Sequence, residues 1–399
     1  MLKSKIAIAT AVTVVVAGCS SPGAPTTTTN PAATSAAQAA AHTEAAIDAV
    51  PWAQVGPGWT LATWSPVTTL PGDPPPPGEP TYETATTTLY LVDPAGGRYP
   101  ITTFPAPGDR SNPQLVDWSG DGNRALFDAP YTQPPTALVV DLHTGAQTTV
   151  PVRSTPRFTR PHGEALLLTT DFNGPQPATL ERVDFTGATQ LTYPTEAFGS
   201  PFDGWHLSTP DGTRLVLGST AGLVLMGNDG TVGSIVSVRG LTRCSPLRWW
   251  DDVTVLAGCD VGDSDASQLW LVPIVDGVPT ALTAPNNHQN GPDYADLTAF
   301  RVPAGTFVQA AGACGVVFLT KLNADGTTSP VSVPNTDPDA SIRVVGVNGD
   351  DLTLQASAAC GPGEALVDYN PGANTSTVLL GPSVNGGGVV DVVPFPGQG

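Results

Sequence analysis

LVDWSGDGNRALF (residues 115–127) is an apolar stretch, a turn centred on Asp121-Gly122, and a second apolar run. Asp-Gly accommodates the positive φ of a tight reversal, and the flanking runs are strand formers, so the stretch predicts a β-hairpin. The same arrangement returns as FTRPHGEALLL (158–168), HLSTPDGTRLVL (206–217) and FRVPAGTFVQ (300–309). Behind each hairpin come a third apolar run, a turn and a further strand-like segment. Seven third runs can be read: TTTLYLVD (86–93), TALVVDL (136–142), ATLERVDF (178–185), GLVLMGN (222–228), QLWLVPIV (268–275), VVFLTKLN (316–323) and EALVDYN (364–370). The turns after them centre on Gly96, Gly145, Gly187, Gly230, Gly277, Gly326 and Gly372, at spacings of 42 to 49 residues.

Four strands repeated at that period are the pattern of a β-propeller blade. One such sheet cannot bury both faces alone, whereas a ring of them covers every face and leaves only short edges. The expectation is an all-β, seven-bladed propeller. Rings of six or eight blades are the near alternatives, and a β-sandwich or a pair of them is the other arrangement that short strands with Gly/Pro turns allow. GGGVVDVVPF (386–395) reads as one more strand, and residues 389–393 are expected to close the ring against the blade that contains Trp59.

The turns Ser119-Gly120-Asp121-Gly122 and Ser208-Thr209-Pro210-Asp211-Gly212 resemble the WD40-like repeats of TolB-type propellers. The resemblance spans residues 50–399 in architecture, but two blades carry the motif well. The third has His162-Gly163, the sixth Ala304-Gly305, and the fifth Asp251-Asp252 without a glycine. TolB proteins carry an α/β domain ahead of the propeller that has no counterpart here, so the resemblance implies a fold more than a role.

The chain before the repeats has a different character. Residues 1–19 read as a signal peptide: Lys3 and Lys5, a 12-residue apolar run (6–17), then Val16-Ala17-Gly18-Cys19. That ending resembles a bacterial lipobox, in which the Cys19 thiol is alkylated by a diacylglyceryl group and becomes the mature N-terminus. Acyl chains add about 0.8 kcal/mol per buried methylene, so two or more hold a protein on a bilayer. Residues 20–49, rich in Ala, Thr and Pro, are expected to be a disordered tether, and residues 50–399 the propeller. PGDPPPPGEP (71–80) excludes a strand and reads as a stiff loop on one rim.

With Cys19 assigned to lipid, four cysteines remain: Cys244, Cys259, Cys314 and Cys360. An even number outside the cytoplasm suggests two disulfides. A hairpin turning at Asp251-Asp252 sets Cys244 opposite Cys259, within bonding reach, and leaves Cys314 for Cys360. Four reduced, buried thiols are the alternative.

Net charge is −19, and −21 without Lys3 and Lys5, which argues against nucleic acid and against direct adhesion to anionic lipid. No GxSxG or HExxH motif occurs, and no CxxC to suggest a metal site. Asp260, Asp263 and Asp265 have the density but not the spacing of a calcium loop, and a solvated acidic loop is the better reading. In Arg248-Trp249-Trp250 the two rings should point to opposite faces of a strand; one of them, with Trp118 and Trp205, is a candidate ligand surface. No catalytic residue, cofactor or metal is assigned. The expectation is a monomeric lipoprotein on the extracytoplasmic face of the cell membrane, held by its lipid anchor alone and binding an envelope protein or glycan. The alternative is an envelope polysaccharide hydrolase or lyase with carboxylates in a central funnel.

Overall fold

The computed structural model describes residues 43–67, 69, 75–108, 112–129, 132, 134–170, 177–262, 266–286, 297–312, 316–337, 340–357 and 364–396, all within one compact unit, Ala40–Gly399. Cys19, Cys314, Cys360, Asp263, Asp265 and the signal segment lie outside the described residues.

The fold is nearly all β. Strands β1 (Thr60–Ser65), β2 (Thr87–Val92) and β3 (Arg98–Phe104) form one antiparallel meander. The next is β4 (Gln114–Trp118), β5 (Arg124–Ala129), β6 (Thr136–Asp141) and β7 (Gln147–Pro151), followed by β8 (Pro156–Phe158), β9 (Leu166–Thr170), β10 (Thr179–Val183) and β11 (Thr189–Thr192). An eight-stranded sheet contains β12 (Phe202–Ser208), β13 (Arg214–Ser219), β14 (Gly222–Gly227), β15 (Val232–Val236), β16 (Leu241–Trp249), β17 (Thr254–Val261), β18 (Ser267–Pro273) and β19 (Thr280–Ala281). Its two halves are joined by the single pairing Ser219–Cys244 between β13 and β16. Then come β20 (Thr298–Val302), β21 (Gly305–Ala311), β22 (Val317–Leu322) and β23 (Thr328–Pro330). The last meander is β24 (Ser341–Asn348), β25 (Asp351–Ser357), β26 (Ala365–Asn370) and β27 (Thr375–Leu380). A short helix, α1 (Pro382–Asn385), leads into β28 (Gly388–Pro394), which pairs with β1 and completes the first sheet in the order β28-β1-β2-β3. Each third run of the sequence is the third strand from the inner edge of its meander.

The core explains why the second strands read as unbroken apolar runs. A strand sends successive side chains to opposite faces. Ala125 and Phe127 of β5 pack toward β1–β3, while Leu126 between them packs toward β8–β10. Leu166 and Leu168 face back to β5–β7, and Leu167 faces forward to β12–β14. Leu215 and Leu217 face back and Val216 forward; Val255 and Ala257 face back and Leu256 forward to β20–β21. Phe307 then packs with β24–β26, and Leu366, Leu379 and Leu380 pack with Ala62, Tyr90 and Val389 of the first sheet. The chain of apolar interfaces returns to its start, which makes the molecule a β-propeller. Leaving both faces of any one sheet wet would forfeit about 25 cal/mol for each Å² of apolar surface.

Turn chemistry sets the hairpins. Ser119 donates its hydroxyl to Asp121 (2.5 Å) and accepts the Arg124 N–H (2.9 Å), while Asp121 accepts the Asn123 N–H. In the fourth meander Thr209, not Ser208, takes the corresponding place, donating to Asp211 (2.6 Å) and accepting the Arg214 N–H (3.0 Å). Gly120 and Gly212 are needed for a further reason: a Cβ on either would fall within 2 Å of the carbonyl oxygen of Pro161 or Arg160 on the neighbouring turn. The outer turns use aspartates similarly. Asp141, Asp184, Asp229 and Asp325 each accept the N–H two residues on. Much of the acidity thus holds turns, and these hydrogen bonds hold Asp184, Asp229 and Asp325 below the usual carboxylate range. Gly96, Gly145, Gly187, Gly230 and Gly326 are left-handed, but Gly277 and Gly372 are not; in the last outer turn Asn374 adopts that conformation at φ 51°.

The polar segment ahead of the ring is partly seated on it. Glu44 pairs with Arg98 on β3, and the Arg98 N–H donates to Thr43 O (3.0 Å), so residues 43–49 of the expected tether lie on the first sheet. Among the described residues no helix is long and apolar enough to cross a membrane.

Candidate functional site

The innermost strands β28, β4, β8, β12 and β16 border a channel with two mouths. The first lies where these strands run out into their hairpin turns and has a volume of about 470 Å³. Asp117, Arg160, Trp249, Asp251, Asp252 and Phe395 are among its walls. The second, about 590 Å³, lies toward the starts of the strands, where Arg153 and Ser154 approach β8. Trp205, Asp128, Pro246 and Leu247 also line it. Arg157, His206 and Leu207 line both and mark the waist.

Carboxylates tie neighbouring inner strands together. Asp391 on β28 accepts the Leu115 N–H (3.1 Å) and the Thr63 hydroxyl (3.2 Å). Asp117 on β4 accepts the Phe158 N–H (2.7 Å) and pairs with Arg160 (2.8 Å). Asp203 on β12 accepts the Ser245 hydroxyl (2.6 Å). Burial pushes Asp391 and Asp203 above the ordinary carboxylate value, against the pull of these bonds. A carboxylate that accepts hydrogen bonds from a neighbouring strand holds that strand in place, with part of its acceptor capacity already used.

His206 stands half-buried at the waist. Its Nδ1 lies 3.3 Å from the Thr169 hydroxyl. Desolvation, helped by the Arg157 charge, pushes the imidazole down to about 4, so it is neutral at physiological pH. Asp128 at the second mouth is raised by burial, opposed by Thr155 and Arg157. Arg157 donates to Val116 O across the inner strands and extends the rest of its guanidinium into the channel.

The candidate residues of the sequence reading separate clearly. Trp118 is fully buried, donates to Gly122 O (3.0 Å) and meets the Phe395 ring edge-on at 5.1 Å, so it is core and not ligand surface. Trp249 packs with the fourth and fifth meanders and donates to Ser208 O, whereas Trp250 packs forward against Leu256 and under Arg301. Trp205 is 48% exposed and faces the second mouth. Cys244 and Cys259 are cross-strand partners joined by a disulfide, Cα–Cα 4.1 Å. Their ladder is bulged on either side, between Thr242 and Cys244 and between Pro246 and Arg248, a displacement that a uniform register about Asp251-Asp252 does not contain. Asp260 pairs with Arg243 on the surface (3.3 Å), and among the described residues no group of acidic, His or Cys side chains could hold a metal. The arginines of VRSTPRFTR were passed over in the sequence. Three of the chain's sixteen basic residues fall within these eight positions, 153–160, and that density in so acidic a chain was the available signal.

No protein-family model matches this chain, and no curated protein sequence matches it. Solved structures with a similar course of chain include the β-propeller domain of the Trilobed protease from Pyrococcus furiosus, with TM-score 0.46 and 11% identity over 74% of this chain and 87% of that one. A β-propeller domain from Myceliophteria thermophila gives 0.44 and 13%, covering 74% and 93%. TolB from Acinetobacter baumannii gives 0.37 and 12%, covering 88% and 87%. At these values the propeller stands on the strand order and core described above.

Proposed function

We propose that this chain is an exported lipoprotein, anchored through Cys19 to the extracytoplasmic face of the cell membrane, whose propeller binds an envelope protein or glycan. The ring is read as seven-bladed, the eight-stranded sheet counting as two blades because one pairing joins its halves. The observation that carries the binding role is the open channel on a rigid frame, with a few polar side chains set in mainly apolar walls. Its walls bring Arg157 of β8 against Trp205 and His206 of β12, while Asp117, Asp203 and Asp391 are engaged in holding the inner strands. A rigid ring presenting loops and channel walls suits recognition. A polysaccharide hydrolase or lyase is the second reading, favoured by Asp128, a buried carboxyl of raised pKa at the second mouth. The test has two arms. Cells fed an alkyne fatty acid should label the full chain, and Cys19→Ala should abolish the label and release the protein from membranes. Envelope glycans incubated with the protein should be retained unchanged. Unlabelled wild-type protein would end the anchor, and depolymerised glycan would replace binding with catalysis.

A further inference from the structure

The two mouths differ in charge. Asp117, Asp251 and Asp252 face the first, where Arg160 is already paired with Asp117. At the second, Arg153 and Arg157 oppose the one carboxyl of Asp128, and the neutral His206 adds no charge. Arg153 is exposed and has no partner among the described residues, and the Ser154 hydroxyl is buried there without one. Trp205 stands beside them in the cavity wall with nearly half its surface exposed. The cavity of about 590 Å³ lies within the usual range of about 300–1,000 Å³ for small-ligand sites.

Resting on the binding role proposed above, we infer that this mouth takes the acidic end of a saccharide. Arg153 and Arg157 grip a sugar carboxylate, and the sugar ring lies on Trp205. A guanidinium matches a carboxylate in planar, charge-assisted pairs, and an indole face covers the C–H face of a pyranose. The remainder of the molecule explains why a chain end fits better than a long polyanion. A net charge of −19 repels a charged strand laid over the surface, but salt screens that field beyond about 8 Å at physiological ionic strength, inside which two arginines prevail.

The probe is a mannuronic acid trimer, compared with its methyl ester, which keeps the shape and loses the charge. Binding to the full-length chain in detergent is read by tryptophan fluorescence and calorimetry. The acid should bind at least about tenfold more tightly than the ester, the worth of one charge-assisted hydrogen bond. Arg153→Gln should erase that preference without lowering the melting temperature, since Arg153 has no structural partner among the described residues. Trp205→Ala should weaken acid and ester alike. Equal binding of acid and ester, or an unchanged preference in Arg153→Gln, overturns the inference and leaves glycan binding standing. Binding of neutral oligosaccharides alone does the same. Failure of every saccharide overturns both the inference and the glycan half of the binding role, leaving a protein partner.

Discussion

Glu364 offers the sharpest physical test of the ring's closing region. It sits just ahead of β26, its backbone pairs with Val389 of β28, and Gln355 donates to its carboxyl and to Val390 O. Burial is the largest influence on it, pushing the carboxyl up to about 7 from its ordinary 4.5; Asp391 raises it further, and Arg343 opposes. The folded state therefore binds this proton more tightly than the unfolded chain. Its contribution is fully present below about pH 4.5 and is lost as pH rises through 7. Each tenfold change in proton affinity is about 1.4 kcal/mol, so the whole interval is on the order of 3 kcal/mol, and about 2 once solvent reaching the carboxyl is allowed for. Glu364→Gln holds the site neutral at every pH. Urea unfolding at pH 5 and pH 8 should show the wild type losing about 2 kcal/mol more than the variant across that interval. Asp368, pushed up to about 6 by burial and by Asp351, adds the same slope to both proteins and cancels. Identical pH dependence in wild type and Glu364→Gln would refute the reasoning.

Other outcomes follow from the same contacts. Deleting residues 386–399 removes β28 and the Phe395 N–H bond to Trp59 O and should sharply lower the melting temperature, and Phe395→Ala alone should cost about 1–3 kcal/mol, because its half-buried ring meets Trp118; a truncated chain that melts like the full one removes the closure. Replacing Cys244 and Cys259 by alanine opens a loop of sequence separation 15, worth about 3 kcal/mol in the chain-entropy account, read as a lower urea midpoint that reductant does not lower further. Asp117→Ala leaves the Phe158 N–H and the Arg160 guanidinium without their acceptor and should cost about 3 kcal/mol in denaturant unfolding, whereas an Asp252→Ala control on the exposed turn should stay within about 0.5 kcal/mol.

What could be read in advance was what is written locally. A glycine or Asp-Gly in a turn, and a run of β-branched residues after it, act over a few positions, so the third strands and the closing segment were visible in the chain alone. The continuous runs at 125–127, 166–168 and 215–217 even encode burial on both faces, since alternate side chains serve two neighbours. Position on the axis is different in kind. Arg157, Trp205 and Leu247 are 42 to 90 residues apart and meet only because ring closure brings the inner strands together. The bulges that shift the ladder around Cys244 are likewise a matter of how paired strands fit, whereas Thr209, two residues before Asp211 as Ser119 is before Asp121, was already marked by its spacing. Local backbone preference decides which residues become strands. Only the packing of one blade on the next decides which of their side chains face the channel and which carboxylates are left to hold it open.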